Sequence, residues 1–189
     1  MILPIYAYGQ TVLRKVATPI DKDYPELPTL LDNMWQTMNN AHGVGLAAPQ
    51  IGLSIRVFLV DTTEVQEEGK ESDAIKKVFI NAEKIEESGE EYAYEEGCLS
   101  IPDLRGEVER PSQLRIRWQD ENFETHEEVF TGINARVIQH EYDHIEGILF
   151  TDYLKPIKKR LSKRKLEKIK AGKFEPPYKM RFAGSKKRR

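Results

Sequence analysis

The most constraining part of this 189-residue chain is the stretch 140–144, His-Glu-Tyr-Asp-His, which has the pattern H-E-x-x-H. On an α-helix, residues four positions apart project from the same face, so His140 and His144 are predicted to hold one metal ion between them. Glu141 would lie beside that ion, where a carboxylate can act on a bound water. The pattern therefore predicts a helix that carries a metal site.

The residues around this stretch support a helix. Thr131 and Asn134 are residue types that cap a helix start, and Gly147 is a residue type that ends one. Ile133 and Val137 share the face of the two histidines, which gives the helix an apolar stripe. A chance match on a core helix is the alternative, but two histidines at ligand spacing with a glutamate between them favour the metal site.

A catalytic site of this kind needs three protein ligands and one open position for water. In the extended pattern H-E-x-x-H-x-x-G-x-x-H of the metzincin proteases, Gly147 matches, but Phe150 occupies the place of the third histidine and cannot bind metal. A thermolysin-like site needs a glutamate on a following helix. Glu167 is the only carboxylate in the next predicted helix, and it lies among lysines on a face expected to be solvated.

The remaining candidate for the third ligand lies upstream, in the stretch 96–100, Glu-Gly-Cys-Leu-Ser. Cys98 is the single cysteine of the chain, so an intramolecular disulfide is excluded. A lone cysteine is most often a small buried apolar residue. Here, however, it follows a predicted strand at a turn, and a thiolate with two imidazoles completes a three-ligand site with an open fourth position.

A third segment, 43–52, has the sequence Gly-Val-Gly-Leu-Ala-Ala-Pro-Gln-Ile-Gly. Its start fits the G-x-G-x-x-A form of a dinucleotide-binding loop, but such a loop follows a strand and opens a helix. Here a predicted helix precedes the segment, a predicted strand follows it, and Pro49 blocks helix growth. Small residues that allow close approach of backbone or ligand favour a substrate groove instead.

Together the three segments resemble the peptide deformylase family, whose motifs are G-φ-G-φ-A-A-x-Q, E-G-C-φ-S and H-E-φ-D-H, where φ is apolar or aromatic. All three are present and in order, at 43–50, 96–100 and 140–144, and the resemblance extends to about residue 156. It implies an enzyme that removes the N-formyl group from the initiator methionine of nascent polypeptides and releases formate.

The chemistry of a three-ligand site predicts that a metal-bound hydroxide attacks the formyl carbon, with Glu141 as general base and then general acid. The resemblance implies that the backbone N–H of Leu99, the side-chain amide of Gln50 and the metal stabilise the oxyanion. The resemblance also implies these substrate contacts: Val44, Gly45 and Gly97 along the peptide backbone, Val44, Ile133, Val137 and His140 around the methionine side chain, and Arg105 further along the peptide.

One divalent metal ion per chain is expected. A thiolate and two imidazoles suit Fe(II), Zn, Ni and Co, and the resemblance favours Fe(II) as the native metal.

No membrane association is expected, because no apolar run is long enough to span a bilayer and no signal-peptide pattern is present. The single cysteine and the missing export signal predict a cytoplasmic protein. No sequence-specific nucleic-acid partner is expected.

Charge is strongly segregated along the chain. Residues 155–189 contain 16 Lys and Arg and 2 acidic residues, a net charge of +14, whereas residues 1–154 contain 13 and 29, a net charge of −16. Such segregation is typical of an interaction tail, and we expect the basic segment to contact the phosphate-rich ribosome surface. A solubilising surface helix is the alternative. If this helix is not needed for folding, truncation after Tyr153 should leave hydrolysis of short formyl-Met peptides largely intact.

The predicted fold class is α+β: antiparallel β-sheets packed around the central H-E-x-x-H helix, with an N-terminal and a C-terminal helix. Apolar residues at helical spacing predict a helix over 26–41, and another is predicted over about 154–170. Strands are predicted over 55–60, 78–82, 91–95, 113–118 and 123–130. Residues 1–170 are expected to form a single catalytic domain, and residues 171–189 a basic, loosely ordered tail.

Overall fold

A computed structural model describes residues 1–66, 68–173 and 175–184. Within these ranges the chain forms a five-stranded antiparallel sheet, a two-stranded parallel sheet and three α-helices. The strands are β1 (Ile5–Tyr6), β2 (Gly45–Ala47), β3 (Val57–Asp61), β4 (Lys76–Cys98), β5 (Ile101–Gln119), β6 (Thr125–Thr131) and β7 (Met180–Arg181). The helices are α1 (Leu27–Asn40), α2 (Gly132–Ile145) and α3 (Pro156–Lys170). The α+β class is as predicted, and the larger sheet has the order β2-β3-β4-β5-β6.

The longest feature is the ribbon formed by β4 and β5, with 23 and 19 residues, joined by the two-residue turn Leu99–Ser100. The strands predicted over 78–82 and 91–95 belong to one continuous β4, and the predicted strand over 113–118 is only the second half of β5. Alternate residues of β5 from Leu104 to Trp118 are mostly buried, which is the period-two pattern of a half-buried strand. The ribbon carries Cys98 to its tip.

Helix α2 packs against β2, β3, β5 and β6. Its apolar face contributes Ala135, Ile138 and Ile145 to a core cluster that also contains Phe79 and Trp118. This burial against the sheet, more than local propensity, holds the helix in place. The H-E-x-x-H residues therefore lie on a helix that is held by the core.

The two ends of α2 differ in how they are formed. The predicted side-chain caps are wrong: in the described chain Thr131 makes no capping hydrogen bond, and the Asn134 side chain instead accepts a hydrogen bond from Thr62 Oγ1 at 2.7 Å and donates one to Asp73 O at 2.7 Å. At the other end the prediction is confirmed, because Gly147 follows the helix with φ +73°.

Helix α1 lies within one residue of its predicted bounds at each end. It buries Leu31, Met34 and Met38 in a second core cluster against β2 and β3. The chain then turns through His42 and Gly43 into β2, a short strand that the sequence pattern did not predict. This turn directs the glycine-rich segment back toward α2.

Helix α3 is part of the hydrophobic core, although most of its surface is charged. Ile169 is fully buried, in a third core cluster with Ala7, Leu149 and Phe150. Removing such a side chain from a core costs about 2–5 kcal/mol. The prediction for truncation after Tyr153 assumed that this helix is not needed for folding. That assumption does not hold, because the truncated chain would lose part of its core.

The two ends of the described chain meet in the small sheet, where β1 and β7 pair in parallel. This parallel pair departs from the prediction of antiparallel sheets throughout. It also departs, within residues 175–184, from the prediction of a loosely ordered tail, because Ile5 N donates to Lys179 O at 2.9 Å and Ala7 N to Arg181 O at 3.0 Å. The rest of the predicted tail, residues 185–189, lies outside the described residues.

The helices within the described ranges are too short or too polar to cross a membrane.

Candidate active site

Side chains from three distant segments meet at one cavity of about 450 Å³. The segment around β2 supplies its first wall, the tip of the β4–β5 ribbon supplies the second, and α2 supplies the third. The predicted site residues that line it are Val44, Gly45, Gln50, Gly97, Cys98, Leu99, Arg105, Ile133, Val137, His140 and Glu141. His144 is not in this lining, and its side chain is buried close to Cys98.

Cys98, His140 and His144 form a compact cluster, in which one ligand-type atom from each residue lies within 4.8 Å of the other two. The Cys98 Sγ atom is 3.3 Å from His144 Nε2. Zn–S and Zn–N bonds are about 2.3 and 2.0 Å long, so three atoms at this spacing fit around one ion. Burial holds the pKa of His144 well below its usual value, which keeps this imidazole in the neutral form that binds metals.

The ring of His140 is oriented by Glu96. His140 Nδ1 lies 2.9 Å from Glu96 Oε2, which leaves Nε2 as the ring nitrogen available to a ligand. The same carboxylate accepts hydrogen bonds from Arg110 Nε at 2.7 Å and from Arg136 Nη1 at 3.2 Å. Burial alone would raise the pKa of Glu96, but the hydrogen bonds from His140 and Arg110 lower it to about 2. Glu96 is therefore a fixed negative charge behind the cluster.

Arg110 connects this charge to the helix. Its Nη1 donates to Asp143 Oδ2 at 2.7 Å, and all three side chains of the Glu96–Arg110–Asp143 chain of ion pairs are at most 6% exposed. A buried ion pair with several hydrogen bonds constrains geometry, and breaking it leaves an unpaired buried charge. The network therefore fixes the orientation of α2 relative to the ribbon.

Glu141 lies buried in the wall of the cavity. It is 4% exposed, and its Oε2 atom has no hydrogen-bond partner among the described residues. Burial is the main reason that the pKa of Glu141 is raised to about 7. The carboxylate lies directly against Gly45, where an added Cβ would overlap Glu141 Oε1. A side chain at position 45 would therefore displace Glu141, which explains one glycine of the first motif.

Gln50 is held with its amide nitrogen toward the ribbon tip. It is 1% exposed, and its Oε1 accepts a hydrogen bond from Ala47 N at 2.8 Å. That bond leaves Nε2, which lies 3.5 Å from Cys98 Sγ and 3.3 Å from Ser100 Oγ. A buried amide fixed at one end is suited to donate a hydrogen bond to a ligand.

The sequence did not assign a role to Glu96, Arg110 or Tyr178. The alternation along β5 places Arg110 on the inward face, and a charged residue at such a position signals a buried ion pair. Tyr178 and its neighbour Pro177 also line the cavity, although they follow α3. No local pattern signalled this, because the contact depends on the pairing of β7 with β1.

These features define a class of protein: an α+β protein whose H-E-x-x-H helix, thiol and buried carboxylate surround a cavity, as in a metallohydrolase.

Comparison with known proteins identifies the family within this class. The model of the polypeptide deformylase family matches residues 2–160. The peptide deformylase of Christiangramia forsetii is 55% identical over 196 aligned positions, which cover 100% of both chains. A peptide deformylase structure from Legionella pneumophila has a TM-score of 0.79 and 36% identity, and the match covers 92% of this chain and 98% of that chain.

A second solved structure is a class I type b peptide deformylase from Acinetobacter baumannii with Met-Ala-Ser bound. It has a TM-score of 0.73 and 38% identity, and the match covers 82% of this chain and 99% of that chain. The present chain belongs to the polypeptide deformylase family and is an enzyme of that family. The resemblance inferred from the three motifs is thereby confirmed.

Proposed function

We propose that this protein is a metal-dependent hydrolase that removes the N-formyl group from the initiator methionine of nascent polypeptides and releases formate. Family membership supports the reaction. The observation that carries the proposal is the cluster of Cys98, His140 and His144 next to Glu141, at a cavity lined by Cys98, His140 and Glu141. The first three residues would hold a metal ion, and Glu141 would transfer a proton during hydrolysis of the amide.

Cys98, His140 and His144 would hold one divalent ion, and we propose Fe(II) as the native metal. Zn, Ni and Co also suit one thiolate and two imidazoles and could replace it. Bound there, the ion supplies Lewis-acid chemistry and lowers the pKa of a coordinated water. Glu96 supports the site by holding the His140 ring through Nδ1.

Glu141 moves the proton. It takes one proton from the attacking water as the C–O bond forms at the formyl carbon, and it delivers that proton to the amine nitrogen as the C–N bond breaks. The products are formate and a free methionine amine. This carboxylate is buried, has one oxygen without a partner among the described residues, and in the absence of a metal ion has a pKa raised by burial to about 7, which suits a group that both accepts and donates a proton.

Two donors stabilise the oxygen on which negative charge develops. They are Gln50 Nε2 and the backbone N–H of Leu99, which both belong to residues that line the cavity. A donor of this kind contributes about 2.7–4 kcal/mol to the transition state when it is held in place beforehand. The hydrogen bond from Ala47 N to Gln50 Oε1 provides that hold for the amide.

The substrate peptide would lie in extended form between the first motif and the ribbon. We propose that its backbone pairs with the chain at Val44, Gly45 and Gly97, and that Arg105 contacts residues further along. The methionine side chain would lie against Ile133 and Val137 of α2, together with Val44 and His140. The Met-Ala-Ser peptide bound to the Acinetobacter baumannii relative supports this kind of ligand, because a deformylated chain begins with methionine.

We further propose that the enzyme works in the cytoplasm, at ribosomes, and that the cations of α3 contact the ribosome surface. Lys158, Arg164 and Lys168 are exposed on this helix. The catalytic domain that we propose spans residues 1–170, with the described part of residues 171–184 docked against it. The acidic remainder of the chain would limit non-specific adhesion to phosphate.

The test is release of formate from formyl-Met-Ala-Ser by protein loaded anaerobically with Fe(II). The matched substrates are acetyl-Met-Ala-Ser and an unformylated peptide with an internal methionine. We expect equal amounts of formate and free Met-Ala-Ser, and no acetate, because a formyl carbon carries only hydrogen beside its oxygen. Cleavage of internal peptide bonds without regard to the formyl group would identify a general metallopeptidase instead.

A further inference from the structure

The chain that follows α3 returns to the active-site cavity. Pro177 and Tyr178 form part of the cavity wall. The Tyr178 hydroxyl donates a hydrogen bond to the backbone oxygen of Leu99 at 2.8 Å. Tyr178 lies 18 positions beyond residue 160, where the match to the family model ends. A residue outside the three motifs therefore contacts the segment that carries the Leu99 N–H, a proposed oxyanion donor, directly after the proposed ligand Cys98.

That segment is the turn between β4 and β5. Leu99 and Ser100 are its two residues, and Cys98 pairs with Ile101 across it. Both outward carbonyls of the turn are held by other parts of the chain, Leu99 O by Tyr178 Oη at 2.8 Å and Ser100 O by Tyr8 N at 2.8 Å. These two bonds hold the backbone of the turn, while Gln50 Nε2 lies 3.3 Å from Ser100 Oγ and the Leu99 side chain packs against the second core cluster.

The two residues that bind these carbonyls, Tyr8 and Tyr178, both lie next to the small sheet of β1 and β7. Tyr8 follows β1, and Tyr178 precedes β7. The sheet is closed by the bonds from Ile5 N to Lys179 O at 2.9 Å and from Ala7 N to Arg181 O at 3.0 Å. The side chain of Gln10 adds a bond to Arg181 O at 3.2 Å. We call β1, β7, Tyr8 and Tyr178 the terminal clamp.

We propose that Tyr178 is a positioning residue for the deformylation reaction. Its hydroxyl fixes the Leu99–Ser100 turn, so that the Leu99 N–H points to the place where the oxyanion develops. The inference rests on the proposed function. An oxyanion donor acts only when it is held in position before the reaction. Loss of the hydrogen bond from Tyr178 to Leu99 is therefore expected to lower kcat and to leave KM nearly unchanged.

The test compares Tyr178→Phe with Tyr6→Phe, each of which removes one hydroxyl. The Tyr6 hydroxyl accepts a hydrogen bond from Arg181 Nη1 at 2.7 Å, so the bond that this variant removes lies within the same sheet and not on the turn. We expect Tyr178→Phe to lower kcat about five- to thirtyfold, with KM within about twofold, metal content unchanged and Tm lowered by no more than about 4 °C. Tyr6→Phe should keep the wild-type kcat.

A second readout does not depend on activity. In zinc-loaded protein, hydrogen exchange of the Leu99 amide should accelerate in Tyr178→Phe and stay at the wild-type rate in Tyr6→Phe. Wild-type kcat and unchanged Leu99 exchange in Tyr178→Phe would overturn the inference, and so would equal losses in the two variants. If the wild-type enzyme released no formate, the proposed function would fail, while the exchange measurement would still decide whether Tyr178 positions the turn.

Discussion

The Nδ1 atom of His140 lies 2.9 Å from a carboxylate oxygen of Glu96, so the acidic residue of the second motif orients the first histidine of the third motif. The same carboxylate binds Arg110 and Arg136, and all of these side chains are buried or nearly so. The contact joins two motifs that are far apart in the sequence.

Glu96→Gln should weaken the metal site without removing a ligand. The variant keeps the side-chain size, but it loses the charge that holds His140 and leaves Arg110 without its main partner. Loss of a group that orients a metal ligand typically lowers metal affinity about 10- to 100-fold. Competition with a chelator measures this. Glu95→Gln, at the neighbouring exposed position, is the control and should keep the wild-type affinity.

Glu96 also predicts an acid limit for stability. Its pKa is lowered from 4.5 to about 2 in the folded protein. A group with a lowered folded pKa stabilises the fold above its unfolded pKa, and this contribution is lost as the pH falls through the folded pKa. Metal-free wild-type protein should therefore lose on the order of 3 kcal/mol between about pH 4.5 and about pH 2. Urea unfolding of Glu96→Gln should show a much smaller loss, and an identical pH profile would contradict the assignment.

Gln50→Ala should reduce kcat by a factor that corresponds to about 2–4 kcal/mol of transition-state stabilisation. Gln50→Glu is an informative partner variant, because a carboxylate can still accept the Ala47 N–H but has no amide hydrogen to donate. Both variants should be slow if donation is the role of Gln50. Steady-state kinetics separates the alternatives, since a change confined to KM would make Gln50 a ground-state contact.

The proposed ribosome contact is testable by charge, not by truncation, because α3 contributes to the core. Lys158→Gln with Arg164→Gln removes two positive charges from the exposed side of α3, and Lys15→Gln with Lys22→Gln removes two elsewhere. Only the first pair should weaken ribosome co-sedimentation, with a slope of log K against log salt that is shallower by up to about 2. Equal co-sedimentation of both double variants and the wild type would leave α3 as a solvated helix.

Much of the site could be predicted because its residues form short motifs with fixed chemistry. The i, i+4 spacing of His140 and His144 predicts a shared helix face, and the structure places Cys98 beside them. The ribbon was harder to predict. Its outer face is acidic and polar, so the strand signal over 76–98 is weak, although the alternation from Leu104 to Trp118 was present in the sequence. Tyr178 could not be placed, because pairing between β1 and β7 is a long-range contact without a local signature.

The proposed ligands are tested by metal content. Cys98→Ala, His140→Ala and His144→Ala should each abolish stoichiometric metal binding along with activity, whereas the wild type should bind one ion per chain. The control is His126→Ala. His126 lies near Asp120 and Glu124 on the β5–β6 hairpin and is the other histidine found in a cluster of possible ligands within the described ranges. Normal metal affinity and turnover in Cys98→Ala would show that Cys98 is not the third ligand.

We propose that Glu141 acts on a water at an ion that other residues hold. Metal content and formate release, measured in the same preparation of Glu141→Gln, test this role. The substitution keeps the side-chain size and removes the proton acceptor. The expected result is one metal ion per chain with a rate at least about a hundredfold below that of the wild type. A variant that loses its metal but turns over normally when the metal is resupplied would contradict the role of Glu141 as the proton acceptor.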